Sequence, residues 1–251
     1  MRPGVPVDAA RAQQQWQSVV DAFARSGLAI HELSPLHGCE DMVFTANPAF
    51  TGIDSHGVRR SIAGRMRYSS RQREVVAQIE YLSSVGYKTE PPIADSIGFE
   101  GGGDAVWDFE RRVIYLGVGP RTDATVVPLL EKIYGAEVIP LVLKTERFYH
   151  LDTALAIVDG ETAILYPGAF DDASVAELRR RFSAAIEVNE AEANRMACNA
   201  AKGGGNTVII EAAAATTIAQ LSLRGYRVEA VDTSEFMKSG GSVYCMKQYV
   251  F

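Results

Sequence analysis

The chain has 251 residues, of which 47% are hydrophobic and 22% are charged, and its formal net charge at pH 7 is −6. This composition is typical of a globular protein and excludes a disordered or collagen-like chain. The negative charge argues against a nucleic-acid-binding protein, because phosphate groups are bound by basic surfaces. An acidic protein is better suited to a cationic ligand.

Predicted helices and strands alternate along the sequence without a low-complexity linker, so we expect one α/β domain over residues 1–251. Apolar residues at helical spacing predict helices at residues 8–25, 71–84, 125–134, 172–182 and 212–224. Short apolar runs predict strands at residues 42–46, 113–116, 137–142, 153–158, 162–166, 207–210 and 226–231. We expect Asp172 to be an N-cap, Gly225 to follow a helix end, and Pro128 to lie in a first helical turn.

The three cysteines, Cys39, Cys198 and Cys245, share no CxxC spacing, so the sequence predicts neither a disulfide framework nor a metal site. The N-terminal residues lack the apolar stretch of a secretory signal, and no segment approaches the roughly 18 apolar residues of a membrane span. We therefore expect a cytoplasmic protein that does not associate with membranes.

A weak internal repeat places polar or reactive residues in turn or glycine-rich segments at spacings of 46 to 57 residues. The residues concerned are Asn47, Asp104, Asp152, Asn199 and Cys245. The spacing is either coincidental or the mark of repeated units around an axis, which would bring these residues together.

Two segments carry a candidate nucleophile and a candidate base. Cys245 follows the Gly240-Gly241 pair, which would let a ligand approach the backbone, although a free cysteine is more often a small buried hydrophobe. His150 and Asp152 would share one face if their segment is extended, which presents a proton shuttle beside a carboxylate. The alternative is a core histidine that is hydrogen-bonded to its neighbour.

Further polar residues could bind a charged ligand. Glu100 and Asp104 flank three glycines and could hold a cation, or they could form a solvated acidic turn. Asn47 precedes Pro48, which restricts its backbone and could aim its amide at a ligand or serve only a turn. Arg67, Arg71 and Arg121 could each bind a carboxylate through a guanidinium fork, with surface salt bridges as the alternative.

Taken in order, residues 42–47, 99–104, 119–122, 150–153 and 240–246 resemble the motifs of the guanidine-modifying (amidinotransferase-like, or pentein) superfamily. This superfamily includes arginine deiminases, dimethylarginine dimethylaminohydrolases, glycine amidinotransferases and arginine dihydrolases. The resemblance implies a five-bladed α/β propeller built from ββαβ modules.

The resemblance also implies residue roles, which transfer one position at a time. Cys245 matches the nucleophile, His150 the general acid and base, and Glu100 the carboxylate that holds the guanidinium. The matched substrate contacts are Asn47, Arg67, Asp104, Arg121 and Asp152. Among these, Arg121 matches an arginine that binds the substrate α-carboxylate, and Arg67 is a second carboxylate contact.

Asn47 departs from the aspartate common in deiminases and resembles the arginine dihydrolases. The leading hypothesis is therefore a cysteine hydrolase that converts arginine to ornithine, ammonia and carbon dioxide without a cofactor. The alternatives are a dimethylarginine dimethylaminohydrolase or an arginine deiminase that gives citrulline, then an amidinotransferase, and last a non-enzymatic propeller that binds a partner. The expected partner is a small-molecule substrate, and a homo-oligomer is left open.

Overall fold

The computed structural model describes residues 5–251. Within them lie eight helices: α1 Ala9–Arg25, α2 Ser69–Ser84, α3 Gly101–Asp104, α4 Val127–Tyr134, α5 Asp172–Arg181, α6 Glu190–Asn194, α7 Ala215–Leu223 and α8 Ser234–Met237. The strands are β1 Ala49–Ile53, β2 Arg59–Ala63, β3 Lys88–Thr89, β4 Ala105–Asp108, β5 Val113–Val118, β6 Glu137–Val142, β7 Leu155–Ile157, β8 Ala163–Leu165, β9 Ile186–Glu187, β10 Ala201–Lys202, β11 Thr207–Glu211 and β12 Arg227–Val231. Short 3₁₀ turns occupy Ala124–Val126, Leu151–Thr153, Pro167–Ala169 and Ala197–Asn199.

The strands of the described residues form four three-stranded sheets with one common topology. In each sheet an antiparallel hairpin is followed by a helix and then by a third strand that pairs in parallel with the second. A parallel pairing needs a long crossover, and the helix supplies it. Each sheet is therefore a ββαβ module, as the sequence resemblance implies.

The chain divides into two compact units. Unit A comprises residues 33–152, 169–178 and 245–251, and unit B comprises the described residues up to Glu32 together with residues 153–168 and 179–244. The first two sheets belong to unit A and the last two to unit B. The single domain expected over residues 1–251 stays a prediction.

The core of unit A is built around aromatic side chains from β1, β4 and α4. Phe50 stacks on Trp107 with ring centroids 5.9 Å apart, and Tyr134 meets both rings edge-on at 5.3 Å. A side chain at Gly52 would collide with the Trp107 indole, which explains the glycine in a buried strand. This packing fixes β1 beside β4, and the residues just before each of these strands form part of the site described below.

All five predicted helices are confirmed within three residues at each end. Gly225 follows α7 with a positive φ of 85°, and Pro128 lies in the first turn of α4, as expected. The expectation that Asp172 is an N-cap is wrong by one residue. Asp171 accepts the hydrogen bond from the Ser174 N–H at 2.9 Å, and Asp172 is already helical.

The prediction of a strand at residues 42–46 is wrong. This segment is a series of turns in which the Phe44 N–H bonds the Asp41 carbonyl at 2.9 Å, and it is apolar because Phe44 and Ala46 are buried. The other six predicted strands are confirmed, whereas six strands were not among those predicted, namely β1, β2, β3, β4, β9 and β10. β1 contains a glycine and is buried along most of its length, and β2 begins with two arginines, so neither shows an alternating pattern.

Candidate active site

The three consecutive glycines allow two backbone segments of unit A to approach closely. They begin α3, which packs against residues 46–49, and Gly101 adopts a positive φ of 49°. A Cβ at Gly101 would overlap the carbonyl oxygens of Asn47 and Ala49, and a Cβ at Gly103 would overlap Nδ2 of Asn47. The space left by the missing side chain at Gly103 is therefore occupied by the Asn47 amide.

The variant Gly103→Ala tests this close approach. The added methyl group occupies the position of the Asn47 amide nitrogen, so Asn47 has to move away from its partners. Overpacking of this kind costs about 1–3 kcal/mol of folding free energy. We expect a lower Tm and a reduced kcat, measured by thermal unfolding and steady-state kinetics. Gly103, unlike Gly101, does not have a positive φ, so the expected loss reports the overlap with Asn47 and not backbone strain.

Glu100 is the most heavily bonded carboxylate of the site and is fully buried. Its oxygens accept from His150 Nε2 at 2.5 Å, from Arg121 Nη1 at 2.9 and 3.1 Å, and from the Arg67 backbone N–H at 2.8 Å. Burial alone would raise the pKa of Glu100, but the hydrogen bond from His150 and the positive charge of Arg121 outweigh it and lower this pKa to about 2. Glu100 is therefore ionised at neutral pH.

His150 lies between Glu100 and Asn47. Its Nε2 faces Glu100, and its Nδ1 lies 3.3 Å from Asn47 Nδ2. The Tyr149 ring packs edge-on against the imidazole at 4.7 Å. The condition under which His150 and Asp152 were placed on one face, an extended segment, is not met, because Leu151–Thr153 form a 3₁₀ turn. The turn nevertheless leaves both His150 and Asp152 buried in the site.

Cys245 is buried beside the same elements. Its Sγ lies 3.1 Å from Asp152 Oδ2, and its carbonyl accepts the Ala46 N–H at 3.1 Å. The second contact ties the cysteine to the segment that carries Asn47. A carboxylate next to the sulfur favours the protonated thiol, which donates to Asp152, over a thiolate. A cation that bound Asp152 would reverse that preference.

Two of the arginines considered as carboxylate ligands, Arg67 and Arg121, contact Glu100. The Arg121 guanidinium carbon sits between the rings of Tyr68 and Tyr149, 4.9 and 4.4 Å from their centroids, while Nη1 bonds Glu100. The Arg67 side chain is exposed and its Nη1 reaches the Pro120 carbonyl at 3.4 Å. Carboxylate binding by Arg67 and Arg121 stays a prediction.

Asp104 was expected to contact the substrate, and the structure shows it holding backbone and side-chain groups of the site. Its Oδ1 accepts from the Leu151 N–H at 3.0 Å, and its Oδ2 accepts from Thr122 Oγ1 at 2.7 Å. The Thr122 hydroxyl in turn accepts the Glu100 N–H at 3.1 Å. Asp104 thus braces the turn that follows His150, and contact with substrate stays a prediction.

The pH dependence of stability tests the state of Asp104. Burial raises the pKa of Asp104 from 3.8 to about 7, so the folded protein holds this proton more tightly than the unfolded chain. The stabilisation from protonation is complete below the unfolded value and is lost as the pH rises through about 7. Between pH 5 and pH 8 the wild type should lose roughly 2–3 kcal/mol that Asp104→Asn does not lose. Parallel pH profiles of the two proteins in denaturant unfolding would contradict this.

Arg71, Thr122 and Tyr149 contribute to the site without having been assigned to it from the sequence. Arg71 was considered as a carboxylate ligand or a surface salt bridge, and it is a buried partner of Asn47. No local pattern separates a buried helical arginine from an exposed one.

In residues 5–251 no group of three or more His, Cys, Asp or Glu side chains is arranged to hold a metal ion.

A buried thiol, a histidine and two carboxylates can add a nucleophile to a cationic carbon and move protons around it. Comparison with known proteins agrees with this chemistry and identifies the chain as a hydrolase of guanidino C–N bonds. The family described as "N,N dimethylarginine dimethylhydrolase, eukaryotic" matches residues 6–251. The chain belongs to this family.

Individual relatives cover almost the whole chain. The chain is 38% identical over 240 residues to the N(G),N(G)-dimethylarginine dimethylaminohydrolase of Mycobacterium tuberculosis, covering 96% of the chain and 76% of that protein. It is 32% identical to the bifunctional arginine dihydrolase/ornithine cyclodeaminase AgrE of Nostoc sp., covering 94% of the chain and 33% of AgrE.

Among solved structures, the substrate-bound N-terminal domain of ArgZ, an arginine dihydrolase from cyanobacteria, is similar with a TM-score of 0.88. The sequence identity is 29%, and the match covers 96% of this chain and 86% of that one. These similarities confirm the guanidine-modifying superfamily and the pentein class of α/β propeller that the sequence resemblance implied.

Proposed function

We propose that the protein hydrolyses free arginine to ornithine, ammonia and carbon dioxide. The observation that carries the proposal is the pairing of Cys245 with Asp152 at 3.1 Å and of His150 with Glu100 at 2.5 Å in one buried site. Cys245 is the nucleophile, His150 the general acid and base, and the two carboxylates hold the guanidinium. The similarity to substrate-bound ArgZ supports this assignment.

Binding is the first step. A guanidinium carries five N–H donors in a plane, which suits carboxylates on two sides. When the substrate guanidinium binds, its N–H groups take the place of the Cys245 thiol as donor to Asp152. They also take the place of the Arg121 guanidinium as donor to Glu100. The positive charge of the substrate guanidinium then stabilises the Cys245 thiolate, while His150 takes the thiol proton.

The first hydrolysis passes through a covalent adduct. The sulfur forms a bond to the guanidinium carbon, and the protonated His150 gives its proton to the departing amine, which leaves as ammonia. His150 then removes a proton from water, and the water oxygen attacks the same carbon. The carbon–sulfur bond breaks, which returns the Cys245 thiolate and forms the ureido product, citrulline. One histidine thus serves both half-reactions.

A second round completes the conversion to ornithine. The sulfur attacks the ureido carbon and a second ammonia leaves. Water then releases the carbamate of ornithine, which loses carbon dioxide. The balance is one arginine and two waters to one ornithine, two ammonia and one carbon dioxide. A neutral amide at Asn47 suits this round, because an aspartate would favour the cation over the neutral ureido group.

Hydrolysis of dimethylarginine to citrulline is the second candidate. It is favoured by the description of the matching family and by the 38% identity to the Mycobacterium tuberculosis enzyme. Deimination of arginine and amidino transfer to an amine remain further alternatives. The buried thiol and histidine argue against a non-enzymatic binding protein.

Product analysis separates these reactions. The protein is incubated with arginine and, separately, with N(G),N(G)-dimethylarginine, and the products are identified by mass. Ornithine from arginine is the expected result, and Asn47→Asp should shift the product toward citrulline. Citrulline as the final product of the wild type, or much faster turnover of dimethylarginine, would assign one of the alternatives.

The preference for arginine over agmatine tests Arg121. When a guanidinium takes Glu100, the displaced Arg121 needs another anionic partner, and the α-carboxylate of arginine supplies one. Agmatine lacks that group. Loss of a charge-assisted bidentate contact costs about 1.5–3 kcal/mol, so kcat/KM should be roughly 10- to 150-fold lower for agmatine. Equal values for the two substrates would rule out this role.

The cytoplasmic location remains a prediction from the sequence, which leaves a homo-oligomer open. None of the helices within residues 5–251 has the length and apolar character that a membrane crossing requires. Measurement of the molar mass in solution would test the oligomeric state.

A further inference from the structure

Arg71 is a buried arginine whose contacts lead to His150. It lies in the first turn of α2, and its side chain is held by four neighbours of unit A. Nε and Nη2 donate to Glu74 Oε2 at 3.0 and 2.8 Å, and Nη2 also donates to the Phe44 carbonyl at 3.0 Å and the Asp41 carbonyl at 3.3 Å. The remaining nitrogen, Nη1, donates to Asn47 Oδ1 at 3.1 Å. The guanidinium is therefore fixed with one donor aimed at Asn47.

The contact with Arg71 determines which way the Asn47 amide faces. A guanidinium has donors only, so the atom of Asn47 that faces it has to be the oxygen. The amide nitrogen is then left facing His150 Nδ1 at 3.3 Å. An amide nitrogen also has donors only, and His150 Nδ1 therefore has to accept. The ring proton sits on Nε2, which donates to Glu100 at 2.5 Å.

We propose that Arg71 is a positioning residue that fixes the orientation of the Asn47 amide and thereby holds His150 as the neutral Nε2–H tautomer. In this tautomer Nδ1 carries a lone pair, which is the form that a base needs. Arg71 acts through Asn47 and contacts neither substrate nor the reacting atoms. The consequence for catalysis rests on the proposed role of His150, whereas the tautomer itself does not.

The groups that surround the His150 ring differ in whether they favour a charged or a neutral imidazole. Glu100 at Nε2 and the buried Asp104 both favour a positively charged imidazole, and Arg121 on Glu100 opposes it. Tyr149 packs against the ring edge. The Asn47 amide opposes protonation at Nδ1, because its nitrogen cannot accept a hydrogen bond. If the amide were free to rotate, its oxygen could accept a proton from Nδ1 and stabilise the charged ring.

The test measures the protonation of His150 directly. Protein with ¹⁵N-labelled histidine is examined by NMR over a pH series, and the His150 signals are assigned by their loss in His150→Gln. The test variant combines two substitutions. Arg71→Met removes the donor to Asn47, and Glu74→Gln removes the carboxylate that would otherwise lose its partner Arg71. The matched control is Glu74→Gln alone, which keeps Arg71. Burial already raises the pKa of Glu74, so a neutral glutamine is a mild replacement.

Wild type and the control should show an unprotonated Nδ1 and a protonated Nε2 at neutral pH. In the double variant the Asn47 amide can rotate, so a fraction of His150 should carry its ring proton on Nδ1 at the same pH. An unchanged tautomer in the double variant, or an Nδ1–H in the wild type, would overturn the proposal.

Two further arms keep the test decisive. If the double variant does not fold, Arg71→Lys takes its place. A lysine can pair with Glu74 but cannot reach two partners with a planar fork, so a smaller shift of the His150 population toward the Nδ1–H tautomer is expected. No shift with lysine would count against the proposal. The NMR measurement needs no substrate, so an Nε2–H tautomer in a protein that does not process arginine would refute the proposed function and leave this inference standing.

Discussion

Replacing Cys245 with serine should abolish turnover and leave the fold intact. The buried sulfur at the site is the nucleophile in the proposed mechanism, and a hydroxyl is a far weaker nucleophile toward a resonance-stabilised cation at neutral pH. We expect kcat to fall by several powers of ten, on the order of 10⁴ or more. The measurement is ammonia release from arginine, with circular dichroism and thermal unfolding to show that the variant folds.

The control for this variant is Cys39→Ser, a substitution of another buried thiol in unit A. Cys198 is less suitable as a reactive thiol, because burial raises its pKa well above the ordinary range. Cys39→Ser should keep most of the wild-type activity. Covalent catalysis by Cys245 would be the wrong mechanism if Cys245→Ser retained more than about a tenth of the wild-type kcat.

Replacing His150 with glutamine should produce the second-largest loss. The glutamine side chain can still bond Glu100, but it cannot carry a proton from the thiol to the departing amine or take one from water. General acid–base catalysis contributes roughly 10²- to 10⁴-fold, and we expect a loss of kcat in that range. The variant should still bind arginine, because Glu100 and Asp152 remain.

His56→Gln is the matched control, since His56 is exposed in the turn between β1 and β2. Its kinetics should equal those of the wild type. A burst of ammonia from His150→Gln, followed by slow turnover, would show that the histidine matters more for hydrolysis of the adduct than for its formation. A kcat within threefold of wild type would remove His150 from the mechanism.

The elements that the sequence predicted well are those whose structure follows from local pattern. The apolar stripe of α1 and the apolar runs of β5 and β6 are local signals, and all three elements occur where expected. The segment at residues 42–46 shows the opposite case. Its apolar side chains are buried by tertiary contacts while its backbone turns, and hydrophobicity alone cannot distinguish a buried turn from a strand.

The site could be predicted only in part. Cys245, His150 and Glu100 were predicted because each lies near a glycine or turn in an order that resembles a known superfamily, and the structure places all three as buried residues of unit A, while their catalytic roles stay a prediction. The partners of Arg71 and Asp104 could not be predicted. Arg71 reaches Asn47, 24 residues away, and Asp104 reaches Leu151, 47 residues away, so no local spacing encodes either contact.

The ion pair between Arg121 and Glu100 matters for the design of inhibitors. A cationic compound that seeks Glu100 has to exchange one guanidinium–carboxylate contact for another, so its gain in affinity is only the difference between the two. An uncharged compound that leaves this pair in place and reacts with the Cys245 thiol avoids the exchange. A screen that selects compounds for positive charge alone would therefore favour molecules that compete with the protein's own arginine.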